Sequence, residues 1–216
     1  MPNYKTITTG GEAEYEIQRS RFLTHTAHVE TEQEAQDFIR TIKKKYFDAR
    51  HNCSAWILGA KSSLQKSNDD GEPGGTAGNP ILEALKKNEL TDIVIVVTRY
   101  FGGIKLGAGG LIRAYGHAAV LGIEASTVVQ AVLFRRTAVT MDYTLLGSAE
   151  NLLRQKKIRI EDKVYAEKVK LILLLEKDTA ENVLEAITDL TAGTAVLEEL
   201  GETYVRLAPS SSAAEP

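Results

Sequence analysis

The segment from Asn68 to Pro80, NDDGEPGGTAGNP, concentrates side chains that could do chemistry. It holds three carboxylates, those of Asp69, Asp70 and Glu72, among four glycines and two prolines. Such a composition offers little apolar surface to bury, so the sequence predicts a loop. Carboxylates on a loop can bind a metal ion, act as a catalytic acid pair, or hold the loop in place through hydrogen bonds.

The spacing of these carboxylates favours the structural role. Their spacing does not match the calcium-loop pattern. Magnesium needs only one or two carboxylates when a phosphate supplies the other oxygens, so a magnesium site stays an open alternative. Adjacent acids on one loop are not placed to flank a substrate bond, as a glycosidase pair must be. We therefore predict that Asp69, Asp70 or Glu72 braces the loop by bonding backbone N–H groups or a nearby arginine.

A second segment, RYFGGIKLGAGGLIR from Arg99 to Arg113, combines glycines with cations. The chain has no acid between Asp92 and Glu124. A glycine-rich turn that leads into a helix offers unpaired N–H groups and the positive end of the helix dipole, which together attract anions. The candidate residues for binding RNA or another anion are Arg99, Lys105, Gly107, Gly109, Gly110 and Arg113.

The named nucleotide-binding motifs do not fit this segment. A Walker loop that starts at Gly102 finds Ala108 where its lysine belongs, and a dinucleotide fingerprint that starts at Gly107 finds Ile112 in place of the third glycine. The alternative is that the glycines only permit tight turns and close packing of helix on strand. Both interpretations stay open at this point.

The tetrapeptide RHNC offers a histidine and a thiol on one face of a predicted strand, at His51 and Cys53. Cys53 opens an apolar strand with Trp56, and buried free cysteines usually serve only as packing. Two potential zinc ligands without a second pair do not make a zinc site. We expect no catalytic residue and no cofactor.

The composition bounds the class of protein. A chain of 216 residues with 43% hydrophobic and 25% charged residues is typical of a globular protein of one large or two small domains. Its net charge of −3 means that any contact with nucleic acid needs a local basic patch. The single cysteine cannot form an internal disulfide. The first residues do not have the pattern of a signal peptide, and no apolar run approaches the roughly 20 residues that span a bilayer. We expect a cytoplasmic protein without a membrane partner.

Hydrophobic periodicity predicts the elements that must position these segments. In the first part they are a strand over 15–29 broken at Ser20, a helix capped by Thr31 and Glu34, a strand over 53–59, a polar connection through Asn68, a helix from Pro80, a buried strand over 92–100, and a helix from Leu111. In the second part they are a strand over 133–143, a helix over 148–156, strands over 158–166 and 168–176, a helix over 179–190, and a strand over 194–207.

The fold class is therefore α+β with two domains. The order β-α-β-β-α-β in the second part is the ferredoxin-like arrangement. We expect a first domain over residues 1–130, a ferredoxin-like domain over 131–208, and a disordered tail over 209–216, which is small and polar.

Four motifs together resemble the IMPACT family, whose bacterial members are two-domain proteins of about this length. They are SRF from Ser20, RHNC from Arg50, DDGEPGGTAGNPIL from Asp69, and VVTRYFGGIKLGAGGLIRAY from Val96. The resemblance implies a first domain similar to the second domain of a small-subunit ribosomal protein and to domain IV of elongation factor G. It implies a second domain similar to domain V of that factor. Eukaryotic members carry a further N-terminal domain that engages the coactivator of a starvation kinase; here the resemblance begins almost at residue 1, so control of that kinase is not expected.

These comparisons predict a binding protein associated with RNA or the ribosome, a regulator of translation whose partner is RNA, the ribosome or a translation factor. The alternative is an enzyme that acts on a phosphorylated small molecule through the glycine loop. In KLGAGGL no hydroxyl is present to hold the metal that such kinases use, which favours binding over catalysis. A protein-interaction adaptor is the second alternative.

Overall fold

The computed structural model describes residues 2–208, and the predicted tail over 209–216 lies outside this range. Two compact units make up the described chain. One runs up to Ala131 and resumes at Arg206, and the other is Val132–Val205. None of the helices in this range is long and apolar enough to cross a bilayer.

The first unit contains a five-stranded antiparallel sheet with helices on both faces. Its elements are β1 (Tyr4–Thr9), β2 (Glu12–Ile17), β3 (Ser20–His28), α1 (Glu32–Lys45), β4 (His51–Leu58), β5 (Leu64–Asn68), α2 (Gly78–Lys87), β6 (Ile93–Tyr100) and α3 (Gly107–Glu124). The sheet order is β2-β3-β6-β4-β5. The strand β6 lies at its centre, which explains its continuous β-branched sequence.

The two faces of this sheet have separate cores. Side chains of α2 and α3 pack with one face, around Phe22, Ile95 and Tyr115. Side chains of α1 pack with the other face, around Trp56 and Val94. Successive side chains of β6 therefore point to opposite faces of the sheet, as Ile95 and Val94 do.

The predicted N-cap of α1 at Thr31 is confirmed, and the return bond of its capping box is shifted by one residue. The hydroxyl of Thr31 accepts a hydrogen bond from the Glu34 N–H at 3.2 Å, and the Glu34 carboxylate accepts one from the Glu30 N–H at 2.7 Å. Because the return bond reaches Glu30 rather than Thr31, the box closes one residue earlier than the standard pattern.

Two predictions about the strands and connections of the first unit need correction. The predicted polar connection through Asn68 is wrong, since residues 64–68 form β5 at the edge of the sheet. Its sequence LQKSN is exposed along most of its length, so it lacks the apolar alternation that predicts a strand. The predicted break near Ser20 is a turn at Gln18 and Arg19, both with positive φ, that separates β2 from β3.

The second unit has the predicted β-α-β-β-α-β order. Its elements are the later part of β7 (Thr127–Met141), α4 (Tyr143–Gln155), β8 (Arg159–Tyr165), β9 (Val169–Glu176), α5 (Ala180–Leu190) and β10 (Val196–Leu207). Its strands lie in the order β10-β7-β9-β8. Both helices pack on one face of the sheet through a core that includes Met141, Leu153 and Ile187. The predicted α+β fold class is thereby confirmed.

Two elements begin earlier in the sequence than the pattern predicts. The strand β7 begins at Thr127 because its first residues pair with β1, a short strand that the pattern did not predict. The helix α4 begins at Tyr143 rather than near Ser148. Gly147 and Ser148 resembled a helix boundary, although both lie inside the helix.

Candidate functional site

The Asp69 carboxylate accepts three hydrogen bonds from backbone N–H groups of the acidic segment itself. Its Oδ1 accepts hydrogen bonds from the N–H groups of Ala77 at 3.0 Å and Gly78 at 2.8 Å, and its Oδ2 accepts one from Gly75 at 2.8 Å. Burial alone would raise the pKa of the Asp69 carboxyl, but the three backbone donors together hold this pKa below its usual value. Since α2 begins at Gly78, Asp69 caps this helix from nine residues away.

Asp70 ties the same loop to two other elements. Its Oδ2 accepts a hydrogen bond from the Asn52 N–H of β4 at 2.7 Å, and its Oδ1 accepts one from Lys43 Nζ of α1 at 2.6 Å. Asp70 itself has a φ of 44°, a conformation that needs such fixed partners. Its carbonyl oxygen is 2.9 Å from His51 Nδ1, so this ring nitrogen has a partner in the acidic loop.

Glu72 lies at the centre of a buried network. Its Oε1 accepts hydrogen bonds from Arg99 Nη1 at 2.7 Å and from the Tyr115 hydroxyl at 2.8 Å. The side chains of Glu72 and Arg99 are only 3% and 7% exposed. Burial raises the pKa of the Tyr115 hydroxyl, so this group stays protonated and donates to the carboxylate.

The guanidinium of Arg99 also holds the start of the glycine-rich segment. It lies 5.6 Å from the ring centroids of both Phe22 and Phe101. Its Nη2 donates to Ser20 Oγ at 3.4 Å, and the same oxygen accepts from the Gly102 N–H at 3.3 Å. A Cβ on Gly102 would lie 2.0 Å from the carbonyl carbon of Arg19, so only glycine allows this close approach.

All three carboxylates of the acidic segment therefore have protein partners, in the arrangement of a brace. Within residues 2–208, no three His, Cys, Asp or Glu side chains are grouped as metal ligands. The sequence did not indicate that Tyr115 and Ser20 belong to this network. Tyr115 looked like one residue of an apolar helix face, and its partner Glu72 lies 43 positions earlier in the sequence.

The thiol of Cys53 is fully buried beside the network. Its Sγ lies 2.9 Å from the Asp69 carbonyl oxygen and 3.3 Å from the Tyr115 hydroxyl. Burial raises the pKa of Cys53 to about 12, and nearby carboxylates add to the rise. A thiol with such a pKa is not a nucleophile near neutral pH.

The predicted anion-binding residues fall into two groups. Arg99 is buried and bonded to Glu72, so it does not face solvent and an anion-binding role does not fit it. Lys105, Gly107, Gly109 and Arg113 are exposed around the first turn of α3, and Gly110 is half-buried in the same turn. Neither a side-chain cap on the preceding Leu106 nor an acid in the first turn is found among the described residues.

Two of the three glycines of this turn have a structural reason. Gly107 has a φ of 70°, which favours glycine, and a Cβ on Gly110 would crowd the Leu106 Cβ at 3.0 Å. At Gly109 the nearest group to an added Cβ is Arg113 Nη1 at 3.7 Å, an ordinary contact. The fold therefore does not require glycine at position 109. Glycine within a helix also costs about 1 kcal/mol of stability relative to alanine.

The chain is a two-domain α+β protein in which an acidic loop and a glycine-rich turn share one buried arginine. The family model described as "Impact N-terminal domain" matches residues 18–123, and "Domain of unknown function (DUF1949)" matches residues 139–194. IMPACT family member YvyE of Bacillus subtilis is 47% identical over 208 residues, which cover 96% of each chain. The chain belongs to the IMPACT family, as the resemblance predicted.

More distant similarities agree with this assignment. The Protein IMPACT homolog of Dictyostelium discoideum is 39% identical over 103 residues, which are 46% of this chain and 28% of that protein. A solved structure described as a "Crystal structure of an hypothetical protein" has a TM-score of 0.62 and 32% identity, covering 91% of this chain and 97% of that one. The family thus extends to eukaryotic IMPACT proteins.

Proposed function

We propose that the chain is a cytoplasmic RNA- or ribosome-associated protein that regulates translation, and that it contacts RNA through the first turn of α3. The observation that carries the proposal is the exposed, uncapped and acid-free N-terminus of this helix, with Lys105 and Arg113 beside it. Backbone N–H groups at such a terminus and the helix dipole both favour a phosphate.

Gly109 supports the same interpretation. It lies in the exposed first turn, where alanine would fit and would stabilise the helix. Glycine leaves the N–H groups of this turn accessible to close approach by a ligand oxygen. A role in binding a phosphate gives this glycine a reason that the fold does not.

The loop that precedes α3 adds apolar groups suited to RNA. Phe101 is 54% exposed and Ile104 is 43% exposed. The Phe101 ring is supported from beneath by the guanidinium of Arg99 at 5.6 Å. An exposed ring held beside cations is the arrangement with which proteins stack unpaired bases.

Charge along the chain also favours an anionic partner at this surface. Residues 93–123 contain no carboxylate, whereas the whole chain has a net charge of −3. The exposed cations of this segment are Lys105 and Arg113, and they supply the local positive charge that an RNA contact on an acidic protein requires. The enzyme alternative gains no support, because the segment 105–111 has no hydroxyl side chain to hold a metal.

Co-purification of RNA tests the proposal in the cell. We expect ribosomal or other RNA to accompany the tagged protein from lysate and to be depleted with the Lys105→Ala/Arg113→Ala variant. The matched control is Arg154→Ala/Lys156→Ala, which removes the same two charges from an exposed part of the second unit. Equal RNA recovery with all three proteins would exclude the α3 surface.

A further inference from the structure

A groove of about 520 Å³ lies between α2 and α3 in the first unit. Its apolar lining includes Pro80, Ala84, Ile112 and Val120, and Ile112 is 45% exposed. A volume of this size lies within the range of small-molecule sites. The groove can therefore receive one flat, largely apolar group.

The charged groups of the groove are mostly cations. Lys87 of α2 and Arg113 of α3 are the cations that line it, and the carboxylate in the lining is that of Glu83. Glu83 already accepts a hydrogen bond from Lys86 Nζ at 3.0 Å. The net charge of the lining favours a ligand that carries negative charge beside its apolar part.

His117 is held in a defined orientation. Its ring meets Tyr15 of β2 edge-on, with 4.6 Å between ring centroids and an interplanar angle of 77°. An oriented imidazole and a planar guanidinium, that of Arg113, both offer faces on which a nucleobase can stack.

Gly116 keeps the groove open in the middle of α3. A Cβ at this position would lie 3.9 Å from the Pro80 Cβ, an ordinary contact, so the helix packing does not require glycine. Glycine inside a helix is nevertheless unfavourable. A larger side chain at position 116 would project into the groove. An open groove is therefore a functional reason for glycine at this position.

Arg113 connects the groove to the first turn of α3. Its Nη1 lies 3.7 Å from the Cβ position of Gly109, and the same side chain lines the groove. A phosphate at the helix N-terminus and a group in the groove would therefore share one guanidinium.

We propose that this groove receives an unpaired nucleobase, so that the RNA is single-stranded where it crosses α3. This inference rests on the proposed function. In an A-form duplex the bases stay in the stack and only the backbone and groove edges are exposed, so a base can enter the groove only from an unpaired segment.

The test fills the groove without changing its charge. The variant is Gly116→Leu, and the matched control is Gly147→Leu in α4, where an added Cβ meets nothing within 4 Å in the described part of the chain. His117→Ala is a second variant, because it removes an exposed ring from the groove. Melting curves verify that each variant is folded.

The measurement is the affinity for a labelled RNA of about 12 nucleotides, single-stranded or annealed to its complement. We expect the wild type and Gly147→Leu to prefer the single strand by about tenfold, the effect of one stacked base. Gly116→Leu should lose this preference while keeping its duplex affinity and the slope of affinity against salt. His117→Ala should lose part of it.

Equal wild-type affinity for both forms would overturn the inference, as would a preference that survives in Gly116→Leu. If the equal binding is weakened by Lys105→Ala/Arg113→Ala, the proposed function stands and only the groove is excluded. If the wild type binds neither form, the proposed function fails together with this inference.

Discussion

Glu72 and Arg99 form a buried ion pair in which Glu72 Oε1 accepts a hydrogen bond from Arg99 Nη1 at 2.7 Å. One residue comes from the acidic loop and the other from the end of β6, just before the glycine-rich turn. This pair joins the two motif segments of the family into one structural unit. We therefore expect both loops to depend on this pair for their positions.

Removing the carboxylate should strongly destabilise the protein. We expect Glu72→Ala to lower the free energy of unfolding by about 3–5 kcal/mol, because it leaves the Arg99 charge buried without its partner. Denaturant unfolding measures this change. The control is Glu83→Ala on the exposed side of α2, for which we expect a change within about 0.5 kcal/mol. A Glu72→Ala loss as small as that of the control would show that the pair does not hold the loops.

The Asp69 brace should appear as acid sensitivity. The pKa of Asp69 is lowered in the folded protein, so its contribution to stability is complete above its unfolded pKa, near 3.8. This contribution is lost progressively as pH falls from that value through the lower pKa of the folded state. We expect Asp69→Asn to be less stable than the wild type at neutral pH and to converge with it in acid. Melting curves from pH 6 to about pH 3 measure this convergence. The control is the exposed Asp178→Asn, and a constant gap across the range would contradict the assignment.

Magnesium distinguishes a brace at Asp70 from a metal site. Because Lys43 and the Asn52 N–H already bond both carboxylate oxygens, we expect Asp70→Asn to lower the melting temperature equally with and without magnesium. A metal site predicts instead that added magnesium stabilises the wild type alone, by mass action. A magnesium-dependent shift that disappears in the variant would replace the brace with a metal site.

Gly109 should show opposite effects on stability and binding. We expect Gly109→Ala to stabilise the protein by up to about 1 kcal/mol, because alanine is favoured within a helix and fits at this position. The same change should weaken RNA binding by crowding the N–H groups of the first turn. Thermal melts and RNA titrations on one sample measure both. A variant that is more stable and binds RNA as tightly as the wild type would remove the first turn from the interface.

The sequence predicted the elements whose side chains repeat with a clear period. The β-branched run of β6 and the capping box of α1 are examples, because both signals are local. The strands β1 and β5 were not predicted, because both are short and β5 is exposed along most of its length. The strand β1 also depends on a partner far away in the chain, β7, whereas β5 pairs with the preceding strand β4.

Part of the candidate site could be predicted from the sequence and part could not. The carboxylates of the acidic loop were identifiable from composition, but their partners were not, since Tyr115 and Asn52 come from other elements. The sequence groups Arg99 with the candidate anion-binding residues because it precedes the glycines. Its side chain points into the core, a direction that depends on which face of β6 it occupies.

The salt dependence of RNA affinity tests the central claim most directly. We predict that the wild type binds single-stranded RNA with an affinity that falls as salt rises, and that Lys105→Ala/Arg113→Ala reduces the slope by about 1.4 units, the value for two lost phosphate contacts. The control Arg154→Ala/Lys156→Ala should keep the wild-type slope. An unchanged slope and affinity in a folded Lys105→Ala/Arg113→Ala variant would contradict the claim that α3 binds RNA.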